Sequence, residues 1–151
     1  MRVCIIGDGL ISLTLANMLI QKDFYVDILS NKKDYKYDKT RTLGVSKSNI
    51  DYINQEIINI DKILWKIKNI KIYTEKSYNE EILNFNNNGE QIFSIIKNYD
   101  LQKLLNHSLK KSKLVRFRNI SINNDISAQK YKLIINCNPK HQITEKFFSK
   151  K

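Results

Sequence analysis

Arg2-Val3-Cys4-Ile5-Ile6-Gly7-Asp8-Gly9-Leu10-Ile11-Ser12 is the stretch that decides the fold. A short apolar run ends in two closely spaced glycines, and a long apolar segment from Leu10 to Ile20 follows. That order predicts strand, tight turn and helix, the opening of a dinucleotide-binding βαβ unit. Gly7 permits the tight turn, and Gly9, lacking Cβ, lets a pyrophosphate approach the backbone. A helix starting near Leu10 directs free N–H groups and the positive end of its dipole at the phosphates. Asp8 sits between the glycines, and Leu10 and Ile11 carry the turn into the helix. The chain has four glycines in all, and two of them fall here.

The third position of the fingerprint holds Ser12, where glycine is usual. That glycine serves close packing of helix on strand, and Ser is a small substitute. Ser12 and Ala16, four residues apart, make a small-residue face against which strands can press. The plainer alternative is a polar turn before a buried helix.

The 151 residues suit one domain spanning 1–151, with 42% hydrophobic content. Cys4 and Cys137 lie in apolar runs where reduced thiols are the expectation, and they form neither a disulfide framework nor a metal spacing. With His107 and His141 the only histidines, no metal site is expected. The first apolar run is broken by Gly-Asp-Gly, which argues against a secretory signal, and no segment reaches transmembrane length. The expected location is cytoplasmic. The net charge of +11 raises nucleic acid and anionic membranes as partners. Arginine occurs only at positions 2, 41, 116 and 118, so lysine supplies most of the 26 basic residues. Phosphate-reading surfaces favour arginine, so nucleic acid is not expected. Weak association with an anionic membrane surface needs no special motif.

Further along, Phe24–Leu29 reads as the second strand. Dinucleotide folds place an acidic residue at its end to hold ribose hydroxyls, and here that place holds Ser30. Asp27, by alternation, is a mid-strand residue. Lys32–Lys39 reads as a surface loop. Arg41 stands before an apolar turn, with a helix expected over Ser48–Ile58; it reads equally as a pyrophosphate contact or a solvated side chain. Ile70–Thr74 reads as a strand. Glu81–Phe85 and Gln91–Ile96 flank Asn86-Asn87-Asn88-Gly89, whose Asn-Gly step signals a hairpin. Asp100–Lys111 carries Leu101, Leu104, Leu105 and Leu109 on one face of a helix, with His107 a surface or edge residue. Leu114–Phe117 and Leu133–Asn136 complete the strands.

The order of these segments resembles the N-terminal part of the FAD-dependent aromatic-ring monooxygenases, most closely the ubiquinone-biosynthesis hydroxylases. Val3–Leu29 resembles their FAD βαβ unit, and Arg41-Thr-Leu-Gly-Val-Ser46 their Arg-x-x-Ala-Leu-Ser stretch. Leu64-Trp65 to Tyr73 is similar to a segment in which Trp precedes an Ile-rich strand. Ile95 to Leu105 resembles a strand-to-helix join with Asn98 three residues before a Leu. Leu133–Asn138-Pro139 falls where the family has an apolar strand ending in Ala-Asp-Gly. The resemblance implies an α/β fold: a Rossmann-like FAD-binding βαβ unit with an inserted antiparallel hairpin or sheet, incomplete relative to the family. It implies FAD as cofactor, NAD(P)H as electron donor and hydroxylation of a phenolic, ubiquinone-precursor-like substrate. Gly7 and Gly9 would flank the pyrophosphate, Ser30 would face the ribose, Arg41 would approach the phosphates or the flavin side, and Asn98 would line the cofactor cleft, with Asn138 at the later fingerprint.

Four departures stand beside the likeness. Ser12 replaces the third glycine, Asp23 a glycine before the second strand, Ser30 the ribose carboxylate, and Asn138-Pro139 the Asp-Gly. Members of the family are longer, and their later Gly-Asp motif has no counterpart, which fits either a fragment of a longer flavoprotein or a decayed relative. No residue is assigned to catalysis, because the cofactor carries the chemistry in such enzymes. Two further classes compete: a non-catalytic, degenerate nucleotide- or partner-binding domain, and a plain NAD(P)-binding reductase domain. The hairpin and the Arg41 segment fit the last poorly, since it needs simple alternation of strands and helices.

Overall fold

A computed structural model describes residues 1–30, 39–74, 80–119, 131–142 and 144. The loop expected over Lys32–Lys39 lies outside the described residues up to position 38. Two compact units form, one from Met1–Tyr37 with Gln102–Lys151 and the other from Asp38–Leu101. Neither joint carries the Pro-, Gly- or Ser-rich composition that marks a linker in sequence.

The first unit contains β1 (Arg2–Ile6), α1 (Leu10–Gln21) and β2 (Tyr25–Ser30). After the inserted second unit come most of helix α3 (Asn98–Lys111), then β8 (Val115–Asn119) and β9 (Leu133–Asn136). The four strands make one parallel sheet in the order β8-β2-β1-β9. Numbered within the unit, that order is 3-2-1-4, the doubly wound arrangement of dinucleotide-binding sheets. Being central, β1 is covered on both faces, which is why Val3, Cys4, Ile5 and Ile6 are a continuous apolar run rather than an alternating one. Cys4, Ile6 and Leu29 pack on one face with Tyr131 and Ile134. Alternation turns Val3, Ile5, Val26 and Ile28, all buried, to the other face, where α1 brings Leu13 and Ala16. Asn17, buried on α1, donates from Nδ2 to the Leu13 and Leu105 carbonyls, tying α1 to α3.

Asp27 is the mid-strand residue expected, and the fold supplies its partners. Its carboxylate lies 3.2 Å from Arg118 Nε and accepts a 2.9 Å hydrogen bond from the Tyr131 hydroxyl. Burial, with Asp27 nearby, pushes the Cys4 thiol up to about 11. Burial and the bond to Asp27 push the Tyr131 phenol up to about 12. Asp23, where the family resemblance has glycine, takes the left-handed conformation with φ 59° between α1 and β2.

The second unit holds β3 (Thr42–Ser46), α2 (Lys47–Glu56), a short 3-10 turn (Asp61–Ile63), β4 (Trp65–Ile67), β5 (Asn69–Tyr73), β6 (Glu81–Asn86) and β7 (Phe93–Lys97). The residues after Arg41 are therefore a strand, correcting the apolar turn expected there. β3 pairs antiparallel with β7, and β7 with β4. Ser46 caps α2 by accepting from the Asn49 N–H. The Asn-Gly turn forms as the sequence predicts, with φ 47° at Asn88 and φ 78° at Gly89. Its flanking strands are not each other's partners, however. β6 pairs with β5, while β7 joins β3 and β4. Turn chemistry fixes the local reversal; competing edges decide where each strand goes. On the β5–β6 hairpin, Ile72, Leu83 and Phe85 are exposed, and Lys71 pairs with Glu81 at 2.8 Å. Among the described residues no helix is long and apolar enough to cross a membrane, and no cluster of metal-ligating side chains occurs.

Candidate nucleotide site

In the first unit the glycine turn sits at the carboxyl edge of the parallel sheet, where β1 lies between β2 and β9. This is the switch point of a doubly wound sheet, the place where such folds bind ligands. Gly7 has φ +109°, a backbone state that L side chains rarely adopt. A Cβ there would stand 3.3 Å from Ser12 Oγ, 3.4 Å from the Cys137 carbonyl carbon and 3.5 Å from Asn138 Cβ. The Gly7 N–H donates to the Leu29 carbonyl at 2.7 Å, locking the turn to β2.

Gly9 is different. It N-caps α1 with ordinary extended geometry, φ −73° and ψ 177°, and nothing lies within 4 Å of where its Cβ would be. Neither strain nor crowding within the chain requires glycine at this position. What glycine leaves is open space directly before the helix. The first intrahelical donor is Leu13, bonded to the Gly9 carbonyl at 3.0 Å, so the amides of Leu10, Ile11 and Ser12 precede the helical ladder. No side chain caps them. Ile11, 73% exposed, projects outward from the same turn. Gln102 Nε2 donates to the Asp8 carbonyl at 3.4 Å, a bracing contact that sequence reading missed because its partner is 94 residues away.

Ser30 ends β2 and is buried, opposite Asn119 of β8. Asn138 follows β9 and borders Gly7, as the Cβ distance above shows. Its side-chain oxygen accepts from the Lys140 N–H at 3.1 Å, and its own N–H donates to Asn136 Oδ1 at 3.0 Å. Thr144 Oγ1 donates to its carbonyl at 3.2 Å. Its carboxamide oxygen thus shapes a local turn. Gly7 to Ser12, Ser30 and Asn138 accordingly gather along one edge of this unit.

Arg41 and Asn98 belong to the second unit, where the antiparallel pairing of β3 with β7 brings them together. The Asn98 N–H donates to the Arg41 carbonyl at 2.9 Å, and the Arg41 side chain is exposed. Among the described residues, two buried side-chain polar atoms have no hydrogen-bond partner: Ser12 Oγ and Asn98 Oδ1. Buried polar atoms are almost always satisfied, so these two are exceptions in the fold. Ser12 stands at the third position of the glycine fingerprint, and Asn98 is a residue that the family resemblance sets along a cofactor cleft. Within the first unit, the open space at Gly9 and the uncapped amides before α1 fit the pyrophosphate of a dinucleotide such as FAD.

No family model matches the chain, and no curated protein matches it by sequence. Solved structures do match by fold. The p-nitrophenol 4-monooxygenase PnpA of Pseudomonas putida superposes with a TM-score of 0.63 at 13% identity, over 78% of this chain and 31% of that one. PqsL of Pseudomonas aeruginosa, named a probable FAD-dependent monooxygenase, matches in its complex with 2-aminobenzoylacetate with a TM-score of 0.65 at 13% identity, over 83% of this chain and 36% of that one. The tetrameric 2-methyl-3-hydroxypyridine-5-carboxylic acid oxygenase gives 0.61 at 16% identity, over 78% and 31%. The chain thus spans about a third of the length of these proteins. What it shares with them is the fold, a mixed α/β architecture with parallel and antiparallel sheets, found in FAD-dependent monooxygenases.

Proposed function

We propose that this chain is the FAD-binding module of a flavin-dependent monooxygenase whose substrate is a phenolic, ubiquinone-precursor-like ring. The observation that carries the reading is the open, uncapped N-terminus of α1 behind Gly9, at the switch point of a 3-2-1-4 parallel sheet. In it, Gly7 sets the turn, Gly9 keeps the approach clear, and the amides of Leu10, Ile11 and Ser12 receive the pyrophosphate. Ser30 offers a neutral hydrogen bond to the ribose. Arg41 supplies a cation for the phosphates or the flavin side, and Asn98 a carboxamide for the cofactor. FAD, when bound, supplies the redox chemistry, with NAD(P)H as electron donor; the chain's residues bind and orient it. The phenolic substrate rests on the order of sequence motifs, and a cytoplasmic protein loosely held to anionic lipid fits the +11 charge.

A second reading, a non-catalytic nucleotide- or partner-binding domain, is favoured by one feature: the ribose position holds Ser30 instead of a carboxylate. Absorbance separates the two. The purified chain titrated with FAD should show a saturable shift and structuring of the flavin band near a 1:1 ratio. A flavin spectrum unchanged from free FAD at every ratio overturns the first reading and leaves the second.

A further inference from the structure

The +11 charge is not spread evenly over the chain. Within Asp38–Leu101, nine lysines and arginines are matched by nine aspartates and glutamates, so the first unit carries the whole excess. In that unit the starts of the four parallel strands lie side by side. The Tyr25 N–H donates to the Met1 carbonyl at 3.0 Å, the Val26 N–H to the Leu114 carbonyl at 2.8 Å, and the Lys132 N–H to the Arg2 carbonyl at 3.2 Å. Arg2 and Lys132 therefore stand at the starts of β1 and β9, and Lys113 comes just before Leu114 at the start of β8. Helices α1 and α3 end here too, because each leads into the start of the next strand. Lys22 follows α1, and Lys110 and Lys111 close α3. Six cations thus line the amino end of the sheet, and Asp23 is the one acidic residue among the described residues of these strand starts and helix ends. Lys22, Lys110 and Lys111 complement the negative ends of helix dipoles, but Arg2, Lys113 and Lys132 have no such role. Apolar side chains stand among the cations: Met1, Tyr25 and Leu133 are each about half exposed, and the Arg2 guanidinium lies 5.7 Å from the centroid of the Tyr25 ring.

We propose that the amino end of the parallel sheet is a docking surface for an anionic lipid bilayer, with Arg2, Lys110, Lys111, Lys113 and Lys132 on the headgroups and Tyr25 and Leu133 at the boundary beneath them. Lysine supplies five of the six cations, and a point charge on a flexible stem suits a fluid anionic surface, whereas reading fixed phosphates favours the arginine fork. A tyrosine with an apolar neighbour fits the layer where headgroups meet acyl chains. The inference deepens the lipid association in the reading above by giving it a place, and it stands apart from FAD binding. The glycine turn lies at the carboxyl end of the same strands, so a chain docked in this way keeps its nucleotide edge toward water.

Co-sedimentation with vesicles at about 0.1 M salt, where surface charge is screened only beyond about 10 Å, tests this. The unaltered chain should bind vesicles of phosphatidylcholine and phosphatidylserine and leave vesicles of phosphatidylcholine alone unbound. A cation at such a surface is worth about a fivefold change in affinity, so K110Q/K111Q/K113Q should bind about a hundredfold more weakly. K113Q/K132Q lies outside both helices and should bind about 25-fold more weakly; it decides the matter if thermal unfolding shows the triple variant to be unfolded. K62Q/K66Q/K68Q removes as much charge as the first variant from exposed side chains of the second unit and should bind like the unaltered chain. Equal weakening by this control overturns the inference, because total charge rather than this surface would then govern binding. Equal binding to phosphatidylcholine alone overturns it as well. Tighter binding of a short DNA duplex at the same salt, lost in K113Q/K132Q, overturns it by assigning the surface to nucleic acid. Absence of binding to the phosphatidylserine vesicles ends both the inference and the lipid association, while the FAD titration of the unaltered chain still decides the FAD-binding reading by itself.

Discussion

Two glycines two residues apart make opposite predictions, and the difference is worked from their surroundings. Gly7→Ala places a Cβ on a backbone at φ +109°, with contacts of 3.3 Å to Ser12 Oγ and 3.4 Å to the Cys137 carbonyl carbon. The φ strain alone is about 1–3 kcal/mol. The serine can rotate away, but the backbone carbon at the end of β9 cannot, so a total of about 2–4 kcal/mol is expected. That is a large share of a stability of about 5–15 kcal/mol. Gly9→Val puts a branched side chain at φ −73° and ψ 177°, a region valine favours, with nothing within 4 Å. Its cost to folding is confined to a poorer N-cap, about 1 kcal/mol or less. The same side chain fills the space before the α1 amides, so FAD affinity should fall at least tenfold, about 1.4 kcal/mol. Denaturant unfolding and FAD titration of the three proteins give both quantities. The reasoning is refuted if Gly7→Ala unfolds at the unaltered midpoint, or if Gly9→Val binds FAD as tightly as the parent.

The remaining predictions concern the scaffold around the turn. Asp27→Ala strands the Tyr131 hydroxyl and the Arg118 guanidinium, and because the Arg118 side chain is 38% exposed it can reach water, so a loss of about 2–3 kcal/mol is expected rather than the full cost of breaking a buried pair; Asp27→Asn, which keeps an acceptor for Tyr131, should lose less in the same unfolding assay. Cys4 has its pKa raised from an ordinary 9.0 to about 11, so its neutral form is the one the fold prefers. Below pH 9 its contribution is whole, and it declines as pH rises to 11, by about 2–3 kcal/mol in all, with Tyr131 acting in the same sense at higher pH. Unfolding curves at successive pH values should show this decline and lose most of it between pH 9 and 11 in Cys4→Ala; an identical decline in the variant would assign it elsewhere. Asp23→Gly relieves a left-handed residue at φ 59° and should raise stability by up to about 1 kcal/mol, visible as a higher Tm.

The first thirty residues were legible from sequence because their information is local. A continuous apolar run, two glycines and an apolar helix admit one compact arrangement, and β1, α1 and β2 follow it, with Ser30 closing the second strand. The Asn88-Gly89 turn was legible for the same reason, since only residues tolerant of positive φ make that reversal. Strand partners were not, because pairing is a contest between edges distant in sequence. The tertiary structure alone sent β6 to β5 and β7 to β3 and β4. It alone set β8 and β9 on either side of the β1–β2 pair, giving the sheet its switch point. Asp27 could be read as mid-strand, but its bond to Tyr131 spans 104 residues and exists only once β2, β8 and β9 are in register. Ser12 could be read as a small residue in place of glycine. That its hydroxyl is buried without a partner follows from how β1, α1 and the end of β9 close around it, a fact of packing that no local pattern encodes.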